Sequence, residues 1–527
     1  MESDSEPPGA RSEPAQSPDR PTESPANSAG APAQPIPSLL RNWLSWAGLL
    51  LFILVLGNLV LLLLVALLVK RPNPYLGIFV YLVLPTIAML GLLLVPAGAL
   101  VERRRRRRLL PGELPRYPRI DLNQPATRRA AAFAVGFIAL FLMVSALASY
   151  HAYQFTDSVA FCGETCHTPM KPEFIAYQDS PHARVPCANC HIGPGASWFV
   201  RSKLTGIYQV YAVATNSYPR PIRTPIKFLR PVREACEECH WPKKFYAAQL
   251  KVFSHFMPDE KNTPAEVRML IKTGGGSAEG GRPMGIHWHM NLAYKVSFVA
   301  TDPQHQNIPW VRTRNINGRV TEYFAKGSPL TPKQVAAMPK NVMDCVSCHD
   351  RPSHRFLPPD FAVDRAFVAG RLERSLPFLK REMVKLLSGS YPSTPKALEA
   401  IATGLADFYQ DKYPELYAQE RLQIEAAIAT AQEIYRNNFF PEMRVDWRTH
   451  PDNIGHLYYR GCFRCHDGRH VSADGRVISN ACESCHTIIG QKVGEPAPAS
   501  GETFAHPINL KALKGLTCST CHTGAVL

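Results

Sequence analysis

Fourteen cysteines fall into seven local pairs, and each pair is followed at once by a histidine. Six pairs read C-x-x-C-H: Cys187/Cys190/His191, Cys236/Cys239/His240, Cys345/Cys348/His349, Cys462/Cys465/His466, Cys482/Cys485/His486 and Cys518/Cys521/His522. The seventh, Cys162/Cys166/His167, is one residue wider. Two thiols at this spacing reach the two vinyl groups of one haem and form thioethers. The histidine after the second thiol swings under the iron as its proximal ligand. Disulfides need no trailing histidine, and zinc sites draw four ligands from mixed spacings. The pattern predicts seven covalently bound haem c groups, with haem itself as core material.

The rest of the chain divides by composition. Residues 1–38 are rich in Pro, Ser, Ala and Glu and have little to bury, which predicts a disordered tail. Three charge-free apolar runs follow, at about 43–69, 75–101 and 130–150. Each is long enough to cross about 30 Å of hydrocarbon as a helix. Pro85 and Pro96 fall in the second run, and membrane helices tolerate such prolines.

Between the second and third runs lies a basic loop, residues 102–129, with six consecutive arginines from Arg103 to Arg108. The positive-inside rule puts this loop and the N-terminus in the cytoplasm and everything after Tyr150 outside. Haem is attached on that same outer face in bacterial c-type cytochromes. The formal charge of +16 is offset by haem propionates, and its arginine cluster reads as a topology signal, so no nucleic-acid partner is expected.

The expected fold is a set of transmembrane helices plus a haem-packed, mainly α multihaem cytochrome c domain with little regular structure and a small β-like insert. The insert, about 251–340, has strand-like stretches at 295–302, 308–314 and 319–325, with Asn317-Gly318 as a hairpin turn. Residues 361–440 form a helical connector. Leu398, Ile401, Ala402, Leu405, Phe408 and Tyr409 mark one apolar face, and Ile424, Ala427, Ile428, Ala431 and Tyr435 mark another. A C-terminal three-haem module occupies 441–527.

The third apolar run leads into Phe161-Cys162, then Cys166-His167-Thr-Pro-Met170-Lys-Pro, Tyr177-Gln-Asp-Ser-Pro-His182 and Cys187-Ala-Asn-Cys-His191. Next come Arg233-Glu-Ala-Cys-Glu-Glu-Cys-His240 and Cys345-Val-Ser-Cys-His-Asp-Arg-Pro-Ser-His354. This order resembles the NapC/NirT/NrfH family of membrane-anchored quinol-oxidising cytochromes, in an extended seven-haem form. The likeness covers roughly 130–250 and 340–360, within a four-haem domain at 151–360. Its first motif is widened, Met170 lies three residues after His167, and Asn189 stands where family members tend to carry aspartate.

The resemblance implies His182 and His354 as distal haem ligands and Met170 as a ligand of the first iron. It also implies quinol, menaquinol or ubiquinol, as substrate, at a site bordered by Met170, Lys171, Asn189 and Lys203. From the residues themselves, eleven histidines lie outside the seven motifs, enough for a fully six-coordinate array. His255, His289 (or its neighbour His287), His456, His470 and His506 complete the distal candidates. His151 reads as an interfacial residue, and His305 and His450 as ordinary packed or surface histidines.

The expected function is electron transfer between the membrane quinol pool and a periplasmic or extracellular acceptor protein. The protein would sit in the bacterial inner membrane with its haem domain in the periplasm. The alternatives are a terminal multihaem reductase with one open haem, or an electron-transfer subunit of a larger respiratory complex.

Overall fold

The computed structural model describes residues 39–40, 42–68, 84–107, 122–165, 167–193, 196–224, 226, 230–241, 245, 247–275, 285–291, 293–328 and 330–494. The tail, part of the basic loop, the start of the second apolar run, Cys166, Cys518, Cys521, His522 and His506 lie outside them. So do the side chains of His167 and Lys203. The described residues fall into two compact units, one drawn from Met1–Val60 and Val83–Leu142, the other from Leu61–Leu82 and Met143–Leu527.

Three helices are long and apolar enough to cross a membrane: α1 (Trp43–Leu68), α2 (Leu84–Arg106) and α3 (Pro125–Thr156). Asn42 starts α1, because its Oδ1 accepts the Ser45 backbone N–H at 2.8 Å. Small residues then let α1 and α2 approach closely. A Cβ on Gly48 would meet the Gly91 carbonyl oxygen at 2.6 Å, and one on Gly98 would meet Ser45 Oγ at 2.4 Å. Ser45 Oγ donates to Val95 O at 2.8 Å, a cross-helix bond of the kind apolar surroundings favour. Gly57 gives α3 similar access, since its Cβ would strike Leu142. At the basic end of α2, buried Glu102 is paired with Arg106 at 2.9 Å.

The largest of the second unit's apolar cores is helical, and smaller ones lie under the five-stranded sheet, around Phe298 and Trp310. The large core lies among α6 (Pro359–Val368), α7 (Leu379–Leu387), α8 (Thr394–Lys412) and α10 (Arg421–Asn438), which follow α4 (His167–Gln178) and α5 (Ala196–Ala214) in the chain. A one-turn helix, α9 (Pro414–Gln419), joins α8 to α10. Ala397, Ile401, Leu405 and Tyr409 recur every four residues along α8 and are completely buried. Ile424, Ala427, Ala431 and Tyr435, spaced by three and four residues, form the buried face of α10. Burying each leucine or isoleucine stabilises the bundle by about 1.5–3 kcal/mol. Leu398 and Phe408 pack only at its margin.

Two small sheets complete this unit. In the first, β1 (Gln249–Phe256) pairs with β2 (Pro264–Ile271), and β2 pairs with β8 (His486–Val493), all antiparallel. In the second the order is β6-β3-β4-β5-β7, with β3 (Tyr294–Val299), β4 (Trp310–Asn315), β5 (Val320–Ala325), β6 (Asn341–Val342) and β7 (His470–Ser472). The β4–β5 turn is the expected Asn317-Gly318 hairpin, with Gly318 at φ +78° where a side chain would be strained. The insert does not close its sheets alone, because β7 and β8 come from the C-terminal motifs. Asp364 anchors the first sheet to the bundle. It accepts the Phe256 N–H at 3.0 Å and pairs with buried Lys380 at 2.6 Å.

Candidate haem-binding site

The described C-x-x-C-H motifs fold as short helical turns. The histidine N–H closes back on the first cysteine's carbonyl at 2.8 Å in His240 and His349 and 3.0 Å in His466. Asp344 fixes one such turn by accepting the Ser347 N–H at 3.0 Å. The widened first motif takes up its extra residue as a π-helical turn, Phe161–Thr165.

Five motif histidines each face a second histidine. Ring centres are 6.1 Å apart for His240 and His182, 6.2 Å for His191 and His354, and 6.4 Å for His349 and His287. They are 5.9 Å apart for His466 and His289, and 6.2 Å for His486 and His456. Two imidazoles on opposite sides of one metal, each nitrogen about 2 Å from it and each ring centre about 1.1 Å further back, put ring centres roughly 6 Å apart. The residues therefore fit six-coordinate haem iron. Among the described residues no cluster of three or more His, Cys, Asp or Glu converges on one metal position, as a zinc site would require.

Hydrogen bonds aim these rings. Nδ1 bonds a backbone carbonyl in His182 (Pro352, 3.3 Å), His287 (Thr273, 2.6 Å), His289 (Ile286, 2.7 Å), His354 (Glu173, 3.0 Å) and His466 (Ser479, 2.7 Å). That bond fixes the tautomer and leaves Nε2 for a metal. Burial lowers the basicity of His191, His349, His354, His466 and His486, and holds His289 down to about 4. Each is thus kept in the neutral form that ligates.

The other candidates sit elsewhere. His470 is buried with both ring nitrogens engaged, Nδ1 with Asp467 at 2.9 Å and Nε2 with Ile308 O at 2.8 Å. His255 faces Asp364 and Lys380. His450 bonds Thr224 at 3.2 Å, His305 packs on Phe298, and exposed His151 lies beside Tyr150. Met170 is half-buried on α4, and exposed Lys171 faces Glu442. Asn189 is exposed, and its carbonyl accepts from buried Arg230 at 3.1 Å. Among the described residues no hydrogen bond joins Met170, Lys171 and Asn189.

Among the described residues, successive motifs from Cys162 to Cys485 are neighbours in space. Thiols lie close together for Cys162 and Cys187, Cys236 and Cys345, and Cys462 and Cys485. Cys190 lies near Cys239, and Cys348 near Cys462 and Cys465. Two buried arginines occupy the joints, a feature missed from sequence. Arg230 bonds Asn189 O and Glu238, while Arg464 bonds Gly461 O, His305 O and Ser347 O. Arg464 sits inside a motif, which was the only signal available.

An apolar helical anchor joined to thioether-type turns facing second imidazoles defines a membrane-anchored multihaem c-type cytochrome. The profile of the NapC/NirT cytochrome c family, N-terminal region, matches residues 124–228. The chain is also 42% identical over 489 residues to the cytochrome c-type protein ImcH of Geobacter sulfurreducens, covering 92% of this chain and 96% of that protein. No solved structure matches it. The chain belongs to the NapC/NirT cytochrome c family, whose members carry covalently bound haem c and serve electron transfer.

Proposed function

We propose that the protein carries seven haems and transfers electrons from membrane quinol to an acceptor protein on the outer face of the bacterial inner membrane. The run of neighbouring motifs carries this reading, since it gives a continuous order from Cys162 to Cys485. When bound, each haem supplies a one-electron iron couple. The protein's own part would be to hold and space these groups, with five pairs of facing imidazoles as the residues that would bind iron. His182, His354 and His456 are the distal partners opposite His240, His191 and His486. Paired imidazoles leave no open position for a small oxyanion at those sites, which counts against a terminal reductase there. His470 is a structural residue on this reading, since both its nitrogens are engaged.

The arginine run from Arg103 sets the orientation, with α3 leading outward to the first motif. Quinol reaches that motif from the bilayer, with Met170, Lys171, Asn189 and Lys203 bordering its site. The test is reduction of the purified holoprotein by a menaquinol analogue, followed at the haem α-band. Rapid reduction that a quinol-site inhibitor blocks is expected. No reduction by the quinol, with full reduction by dithionite, would sink the quinol assignment.

A further inference from the structure

The short helix Ile286–Met290 lies between β2 and β3 and belongs to no cytochrome motif. It carries two histidines separated by Trp288. In a helix of three residues per turn, positions i and i+2 point about 120° apart, so two imidazoles at this spacing cannot serve one metal ion. They face different partners: His287 stands 6.4 Å from His349, and His289 stands 5.9 Å from His466.

We propose that this single turn supplies the sixth ligand to two successive haem irons. His287 serves the iron held by Cys345, Cys348 and His349, and His289 serves the one held by Cys462, Cys465 and His466. The proposal rests on the haem reading given above but not on quinol as donor. It also gives the insert a purpose. The insert delivers one rigid turn to the joint between the four motifs that resemble the family and the motifs beyond them.

The turn is built for positional accuracy. Its backbone is pinned by Ile286 N to Lys272 O and His287 N to Gly274 O, both at 2.8 Å. Asn291 Nδ2 donates to Gly275 O at 2.8 Å. Gly285 has φ +95°, and a Cβ there would meet Lys272 O at 2.6 Å, so only glycine allows the approach. Trp288 wedges against Tyr294, with ring centres 4.9 Å apart. Each imidazole is then locked by its own carbonyl, Thr273 for His287 and Ile286 for His289.

The two pairs differ in one measurable respect. The rings of His287 and His349 are nearly parallel, at 3°, whereas those of His289 and His466 are nearly perpendicular, at 86°. Parallel imidazoles separate the two iron d orbitals that interact with ligand π electrons, giving a rhombic low-spin signal in electron paramagnetic resonance. Perpendicular imidazoles leave those orbitals close in energy and give a large-gmax signal.

The experiment uses full-length oxidised holoprotein with no electron donor present, so its result is independent of quinol reduction. His287→Gly is expected to lose one rhombic signal and His289→Gly one large-gmax signal. Each should gain one high-spin haem at an unchanged haemochrome count, and added imidazole should restore the lost signal. A variant that keeps all its low-spin signals overturns the proposal, as does loss of the same signal in both. Should a glycine variant fail to accumulate, His287→Met and His289→Met keep a sixth ligand. Each should then gain one near-infrared band of a methionine–histidine iron, and absence of that band overturns the assignment.

Discussion

The four-helix bundle and the motif-bearing stretch from 151 to 241 belong to one unit, yet they are stabilised by different means. In the bundle, Leu376, Leu379, Met383, Leu387, Ile401, Leu405 and Tyr409 are completely buried by one another. In the motif-bearing stretch the buried apolar side chains among the described residues are Pro169, Pro172, Ala176, Tyr177, Ala188 and Ala212, most of them small. A chain with so little apolar surface to bury cannot offset the entropy of ordering its backbone. On the proposal above, covalently held porphyrin supplies what is lacking. The strongest way to break this comparison is to make the chain without haem attachment. Hydrogen exchange should then show residues 151–241 exchanging freely while the amides of α8 and α10 stay protected. Equal protection in both regions would mean that the motif-bearing stretch has a side-chain core of its own.

The reciprocal experiment acts on the bundle. Leu405→Ala should cost about 2–5 kcal/mol in denaturant unfolding, because a fully buried leucine leaves a cavity that rigid helices fill poorly. The haemochrome count should be unchanged, and any haem loss would show that the two regions fold as one.

A pH titration probes where they meet. His450 packs against Phe356 beside the cluster of Ala176, Phe440 and Met443, and burial with nearby Arg351 holds it down to about 4. The folded form stays neutral while the unfolded chain takes up a proton below about 6.5. Its contribution is therefore complete above about pH 6.5 and is lost as pH falls towards 4, by at most about 3 kcal/mol. His450→Gln should flatten that part of the stability profile. An unchanged profile would assign the acid sensitivity to other groups.

What the sequence revealed follows the same division. The apolar faces of α8 and α10, spaced by three and four residues, were legible because Ile401, Leu405, Ile424 and Ala431 bury against helices close in the chain. The Asn317-Gly318 hairpin was legible because its turn chemistry is local. The pairing of β2 with β8 joins residues more than two hundred positions apart and left no periodic trace. The partners of the motif histidines were half legible. His182 and His354 stood out through family order, but His470 and His456 read alike, both close to a motif. Only the fold separates them, by engaging both nitrogens of His470 and turning His456 towards His486.

The finest test concerns two glycines in the region without a conventional core. If that region were loosely packed throughout, a methyl group would be tolerated anywhere in it. At Gly163, in the π turn of the first motif, a Cβ would lie 2.2 Å from the Phe174 ring. Gly163→Ala should therefore destabilise by about 1–3 kcal/mol, as overpacking does. At Gly206, within α5, a Cβ would meet nothing within 4 Å. Gly206→Ala should then raise stability by about 0.5–1 kcal/mol through helix propensity alone. Opposite signs in paired thermal melts of the holoprotein would locate the close packing at the attachment turn. Equal small effects would mean that the first motif is as loose as the rest.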